Sequence, residues 1–222
     1  MILHSGPKPL REGARAILPL VPAAFAFGVS FGVLARTAGV GRLAAIVMSA
    51  TTFAGSAQFA AISVLGAAGG VGAAVAAALL LNTRYAAIGI SVGPRFGGSL
   101  GRRLVESQLI VDESWAVSVR PDGHVEPGVL VGAGATLWLG WTGGTIVGAF
   151  AGGALGDPGR LGLDGAFPAL FLALLAPQLR DRRPIVAAVL GAAIAFALVP
   201  LTPPGIPIVA ASAACLLGWR RG

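Results

Sequence analysis

Arg84 carries the most pointed chemistry in this sequence. It ends a run of 41 residues, Leu43 to Thr83, that holds no charge. A guanidinium set in apolar surroundings needs an anionic or carbonyl partner, and its planar fork matches the two oxygens of a carboxylate. Two readings follow: a docking point for a substrate carboxylate, or a structural arginine that bonds carbonyls freed by a broken helix. Asn82, two residues earlier, points to a different helical face. A second polar signature, Phe53-Ala-Gly-Ser-Ala-Gln-Phe59, lies inside the uncharged run. Gly55 and Ser56 could open a helix there and turn backbone dipoles toward a zwitterion, with Gln58 beside them. The plainer alternative is small-residue packing, with Gln58 hydrogen-bonded across helices. Asp112 and Glu113 are the only adjacent acidic pair. They suit proton coupling if they face a vestibule, and otherwise form the polar edge of a surface helix.

Catalysis finds no such support. His4 and His124 both lie in hydrophilic segments, so no apolar span offers a Ser–His dyad. Cys215 is alone, which leaves neither a disulfide nor a cysteine pair at metal spacing. HExxH and P-loop motifs are absent. No catalytic residue, cofactor or metal is expected. The motor of an ATP-driven pump is missing too, although a permease served by a separate ATPase stays open.

The elements that must hold these residues are membrane helices. Of 222 residues, 55% are hydrophobic and 11% charged, against about 25% charged in a soluble domain. An all-α polytopic membrane protein is expected, as one domain over residues 1–222. The net charge of +7 comes from arginines clustered between apolar runs, with Lys8 the single lysine. That placement suits orientation signals and anionic lipid headgroups rather than nucleic acid. About seven apolar segments can be marked: 16–35, 43–65, 71–93, 128–156, 165–179, and two short ones divided by Pro200 to Pro207. As one helix, 41 uncharged residues would span about twice the ~30 Å bilayer core. The run must therefore fold back, most easily at Gly66 to Gly70. Gly140, Gly144, Gly148 and Gly152 repeat every four residues, and Gly128, Gly132 and Thr136 extend the row. This stripe lets another helix approach closely, from within the chain or from a partner.

Two layouts satisfy the positive-inside rule. If all seven segments cross with the N-terminus outside, eleven basic residues lie inside and four outside. If 43–65 is a broken, re-entrant pair of half-helices, the N-terminus moves inside and the count becomes twelve against three. Both place the C-terminus and the hydrophilic 94–127 segment in the cytoplasm. Within that segment, Leu104 to Val119 reads as an amphipathic helix on the membrane or capping the bundle.

Phe27-Gly28, Phe53-Ala-Gly-Ser-Ala-Gln-Phe59, Leu81-Asn-Thr-Arg-Tyr85, Asp112-Glu-Ser-Trp115 and Gly165-Ala-Phe-Pro-Ala-Leu-Phe-Leu-Ala-Leu-Leu175 follow in this order. Together they resemble the AzlC-type branched-chain amino acid exporters, the azaleucine-resistance family, over nearly the whole chain. The resemblance implies the large subunit of a bacterial inner-membrane exporter, with a small AzlD-type membrane partner. Its substrates would be valine, leucine, isoleucine or similar neutral amino acids, driven by the proton-motive force. Two departures touch substrate choice and coupling: Tyr85 is followed by Ala86-Ala87, and Ile110-Val111 precedes the acidic pair. In the resulting reading Arg84 and Asn82 hold the substrate's polar end, and Gly55, Ser56 and Gln58 line the same cavity. Asp112 or Glu113 couples protons. A permease half of an ATP-driven transporter and a non-transporting scaffold that binds a partner through the glycine stripe remain alternatives.

Overall fold

Pro19 and Pro22 fall where a helix can take them, in the first turns of the segments they open. The N-terminal chain is therefore almost continuous helix: α1 (Pro7–Ile17), a tight turn at Leu18–Leu20, and α2 (Val21–Thr37). The computed structural model describes residues 7–151, 172, 175, 176, 179, 181–203 and 206–214. Among these the regular elements are helical, apart from an isolated antiparallel bridge between Val119 and Val125. After α2 come α3 (Arg42–Thr52), α4 (Gly55–Gly66), α5 (Val71–Asn82) and α6 (Arg84–Val92). Then follow α7 (Leu100–Ser107), α8 (Asp112–Ser118), α9 (Pro127–Ala151), α10 (Arg182–Leu198) and α11 (Ile206–Ser212).

Two of the described helices are long and apolar enough to cross a membrane, Lys8–Thr37 and Pro127–Ala151. The pair Val71–Asn82 and Arg84–Arg95, bent by 45° at Thr83, makes a third if taken as one span. The expected count of about seven is not reached among the described residues. The 165–179 segment lies almost wholly outside them, as do Gly152, Cys215 and the C-terminal arginines.

The glycine stripe is used within the chain. A side-chain carbon on Gly144 would strike the Phe25 carbonyl, and one on Gly148 the Val29 carbonyl. Gly28 and Gly32 answer from α2, set against the Trp141 and Thr145 carbonyls, and Gly132 meets Leu10 of α1. Residue numbers rise together along both partners, so α1–α2 and α9 run parallel, backbone against backbone. Small residues on both faces are what permit this approach.

Parallel packing fixes the course of the rest. Arg36 Nη1 donates to the Ala149 carbonyl at 3.1 Å, and the Arg42 guanidinium lies 5.5 Å from the centre of the Phe150 ring. The start of α3 is thus at the Thr37 end of the bundle. From there α3 descends to the middle of α9, where Trp138 Nε1 donates to the Ala50 carbonyl at 2.9 Å. The chain breaks at Phe53 and Ala54, and α4 climbs back until Gly66 stands beside Ala38. Both ends of the α3–α4 hairpin therefore lie at one end of the bundle. Of the two layouts, the one with 43–65 broken into half-helices matches this hairpin. Next, α5 and α6 run the full depth, and Val92 reaches a cluster with Phe96, Val125 and Leu130 at the opposite end.

The 94–127 segment closes that opposite end. Where one helix was expected over 104–119, there are two. Residues 108–111 separate α7 from α8 because Leu109 turns in against Gly134 of α9. Glu12 of α1 pairs with Arg120 at 2.7 Å, tying the N-terminal helix to the same end. Outward surfaces remain apolar, with Leu43, Val71, Leu79, Ile90 and Phe196 all exposed, as a bilayer-facing surface requires. Against α5 packs α11, whose Ala211, with Ala214 just beyond its end, also meets Gly191 of α10.

Candidate functional site

Two helix breaks, at Phe53–Ala54 and at Thr83, meet at mid-depth. Their conjunction opens a cavity of about 250 Å³. One wall is apolar and comes from the long helices, through Leu20, Ala24, Phe27, Leu137 and Trp141. The other is polar: Ser56 at the start of α4, Arg84 and Tyr85 at the start of α6, and Asp112 and Glu113 at the start of α8.

Arg84 organises the polar wall. Its Nη2 donates to Ser56 Oγ at 2.9 Å and to the Tyr85 hydroxyl at 3.3 Å, and lies 3.0 Å from Asp112 Oδ2. Both side chains of the ion pair keep 34% of their surface exposed, so the pair is open to the cavity. Nε is buried without a partner. A cation with an unfilled donor and a carboxylate beside it suits the two ends of a zwitterion. Glu113 stands exposed beside Asp112. Enough protein surrounds it for desolvation to raise its carboxyl pKa, and the Asp112 charge pushes the same way, against a lowering backbone hydrogen bond.

Phe53 caps α3 in the left-handed region, with φ 40°. That conformation costs a non-glycine residue roughly 1–2 kcal/mol. Burying the ring is worth about as much or more, roughly 1.5–3 kcal/mol, and Phe53 is 6% exposed. Burial wins, and the break is held. Gln58 then seals it from behind: its Oε1 accepts from the Ala54 N–H at 3.1 Å, and its Nε2 donates to Ser49 Oγ at 3.0 Å. Ser49 also accepts from Trp141 Nε1 at 3.1 Å. Thr145 spends its proton on the Trp141 carbonyl at 3.0 Å, so Ser49 donates to Thr145 Oγ1 at 2.8 Å. The network is satisfied and fully buried.

Arg84, Ser56, Gly55, Asp112 and Glu113 meet at one cavity. Gln58, expected on its wall, is instead fully buried behind the break. Asn82, expected beside Arg84, lines a second cavity of about 240 Å³, with Thr52, Gly89 and Gln108. Phe53 and Tyr85 belong to the walls of both cavities.

The sequence model of the AzlC protein family matches residues 19–155, more than half of the chain and including every residue of both cavities. This chain belongs to the AzlC family. An uncharacterized membrane protein of Archaeoglobus fulgidus is 32% identical over 213 residues, covering 94% of each chain. The inner membrane protein YgaZ of Escherichia coli K12 is 28% identical over 200 residues, 82% of this chain and 78% of its own. No solved structure matches. With its apolar helices and these relatives, this AzlC-family chain is a membrane protein.

Two site residues escaped the sequence reading. Trp141 packs on Gly55, where an added side-chain carbon would stand 3.0 Å from the indole. It also joins Phe31 and Phe59 in an aromatic cluster with ring centres 5.8–6.1 Å apart. A large indole directly after Gly140 of the glycine row was the available signal. Phe53 gave none, because a phenylalanine does not advertise a left-handed cap.

Proposed function

We propose that this chain is a carrier that exports small neutral amino acids with apolar side chains, the branched-chain class. The Arg84–Asp112 pair in the wall of a small, half-apolar cavity carries the reading. A substrate carboxylate takes Arg84 and its ammonium takes Asp112, so one ion pair is exchanged for two without change of net charge. The apolar side chain then lies against Phe27, Leu137 and Trp141. A volume of about 250 Å³ is below the roughly 300 Å³ at which drug-sized pockets begin, which favours a small solute. Glu113 is the proton-coupling group, since it stands beside the pair and its carboxyl protonates more readily than usual. Helices broken at mid-depth around such a site are a recurrent carrier device.

The parallel course of α1–α2 and α9 favours the layout with both N-terminal ends on one side. That end carries Lys8, Arg11, Arg15, Arg95, Arg102, Arg103 and Arg120, against Arg36 and Arg42 at the other. By the positive-inside rule it is cytoplasmic, and α3–α4 is a re-entrant hairpin from the outer side of the inner membrane. A small AzlD-type subunit is the proposed partner; α10, which has no buried residue, leaves surface for it. The glycine row from Gly132 to Gly148 is occupied by α1 and α2, which removes the surface on which the scaffold alternative rested.

Binding tests the reading directly. Equilibrium dialysis of labelled leucine against the purified chain should show saturable binding that Arg84→Gln weakens about tenfold or more. Leucinol, which lacks the carboxylate, should not compete. Equal binding by wild type and Arg84→Gln would remove Arg84 from the site.

A further inference from the structure

Trp141 is the bulkiest side chain in the apolar wall of the Arg84 cavity, and its indole is held from several sides. On the pyrrole side, Nε1 donates to Ser49 Oγ at 3.1 Å. Ser49 is fixed in turn, because its hydroxyl donates to Thr145 and accepts from both Trp141 and Gln58. Its one donor and two lone pairs are then all in use. Phe31 stacks on the indole with ring centres 6.1 Å apart, and Phe59 meets it nearly perpendicular at 6.0 Å. On the benzo side lies Gly55, where a side-chain carbon would stand 3.0 Å from Cη2 and 3.2 Å from Cζ3. Ser49, Gln58, Thr145, Phe31 and Phe59 are all buried, and a close-packed interior leaves them little room to step aside. Leu137, one turn earlier on α9, lines the same wall with no polar anchor at all.

Anchoring adds rigidity, and a wall that cannot yield discriminates by size. One methylene more or less in an apolar pocket is worth about 10- to 200-fold in discrimination. Trp141 is only 6% exposed, so it offers the cavity a strip of ring and no open face on which an aromatic ligand could stack. We propose that Trp141, positioned by Ser49, sets the upper limit on the side chain this site accepts, admitting branched aliphatic amino acids and excluding aromatic ones. The ligand class rests on the carrier reading above; the size limit rests on the indole and its anchors.

Competition dialysis with the purified full-length chain separates the two. Labelled leucine is displaced by unlabelled leucine, alanine or phenylalanine. In wild type, phenylalanine should compete about tenfold or more weakly than leucine. Trp141→Phe installs a smaller ring without the bond to Ser49, and should narrow that gap about tenfold. Ser49→Ala releases the indole without shrinking it and should narrow the gap too, whereas lost stability alone would weaken both ligands equally. Gly55→Ala works in the opposite direction: its methyl takes space at the indole edge, so leucine should lose ground to alanine. Phenylalanine competing as well as leucine in wild type would overturn the size limit and leave the carrier reading standing. So would unchanged ratios in variants that still bind leucine. No saturable leucine binding by wild type would overturn both.

Discussion

Arg84 and the two carboxylates near it carry the proposed exchange of ion pairs. Arg84→Gln and Asp112→Asn should each cut amino acid efflux about tenfold or more, at equal membrane levels. The two groups act as a pair, so the double variant should lose little beyond the worse single one; additive losses in efflux assays would separate them. Glu113→Gln should behave differently. The Glu113 carboxyl pKa is raised, so it takes up a proton on acidification earlier than an ordinary carboxylate. The acid limb of the efflux–pH profile therefore starts above the usual carboxylate range, and Glu113→Gln should flatten it while leaving leucine binding in place. An unaltered profile would place coupling elsewhere. The sequence made Arg84 conspicuous, because one charge after a long apolar run has few innocent readings. It put Asn82 on a different helical face from Arg84 without supplying a neighbour for it, and the structure gives the two residues different cavities. For Gln58 it left two readings open, and the structure takes the plainer one: Gln58 is buried and bonds across helices to Ser49, while its Oε1 accepts the Ala54 N–H that the break at Phe53 frees.

Among elements, the packing of α9 on α1–α2 gives the sharpest stability test. Gly144→Ala would drive a methyl into the Phe25 carbonyl, whereas Gly143→Ala, one residue earlier, would come only within 3.9 Å of the Phe25 ring. Thermal unfolding in detergent should show the first destabilised by about 1–3 kcal/mol, the usual range for overpacking, and the second near wild type. Equal melting would mean that the two helices do not meet through this face. The stripe itself was legible, as a four-residue repeat in glycine needs no tertiary knowledge. Its partner was not, because Gly28 and Gly32 repeat the four-residue spacing only once, and spacing alone does not say which helix meets the stripe. The single amphipathic helix expected over 104–119 failed for a similar reason: apolar periodicity continued through Leu109 to Val111, while contact with α9 broke the helix there.

For the whole molecule, orientation is the open consequence of parallel packing. Single cysteines at Gly39 and Gly69, in a chain with Cys215 replaced, should both be labelled from outside the cell by an impermeant maleimide. A cysteine at Gly123 should be labelled only after permeabilisation. Opposite accessibility of Gly39 and Gly69 would mean that α3–α4 crosses rather than re-enters. Charge counting alone separated the two layouts by one residue, too little to decide, whereas the glycine contacts fix the relative direction of the two longest helices. The most direct test of the carrier is export itself. Cells lacking their own exporters, expressing this chain with its small membrane neighbour, would be fed an isoleucine-containing dipeptide while free isoleucine outside is timed. Efflux should be faster than in empty cells, stopped by an uncoupler and lost with Arg84→Gln. Efflux no faster than in empty cells, with the protein shown to be in the membrane, would contradict it.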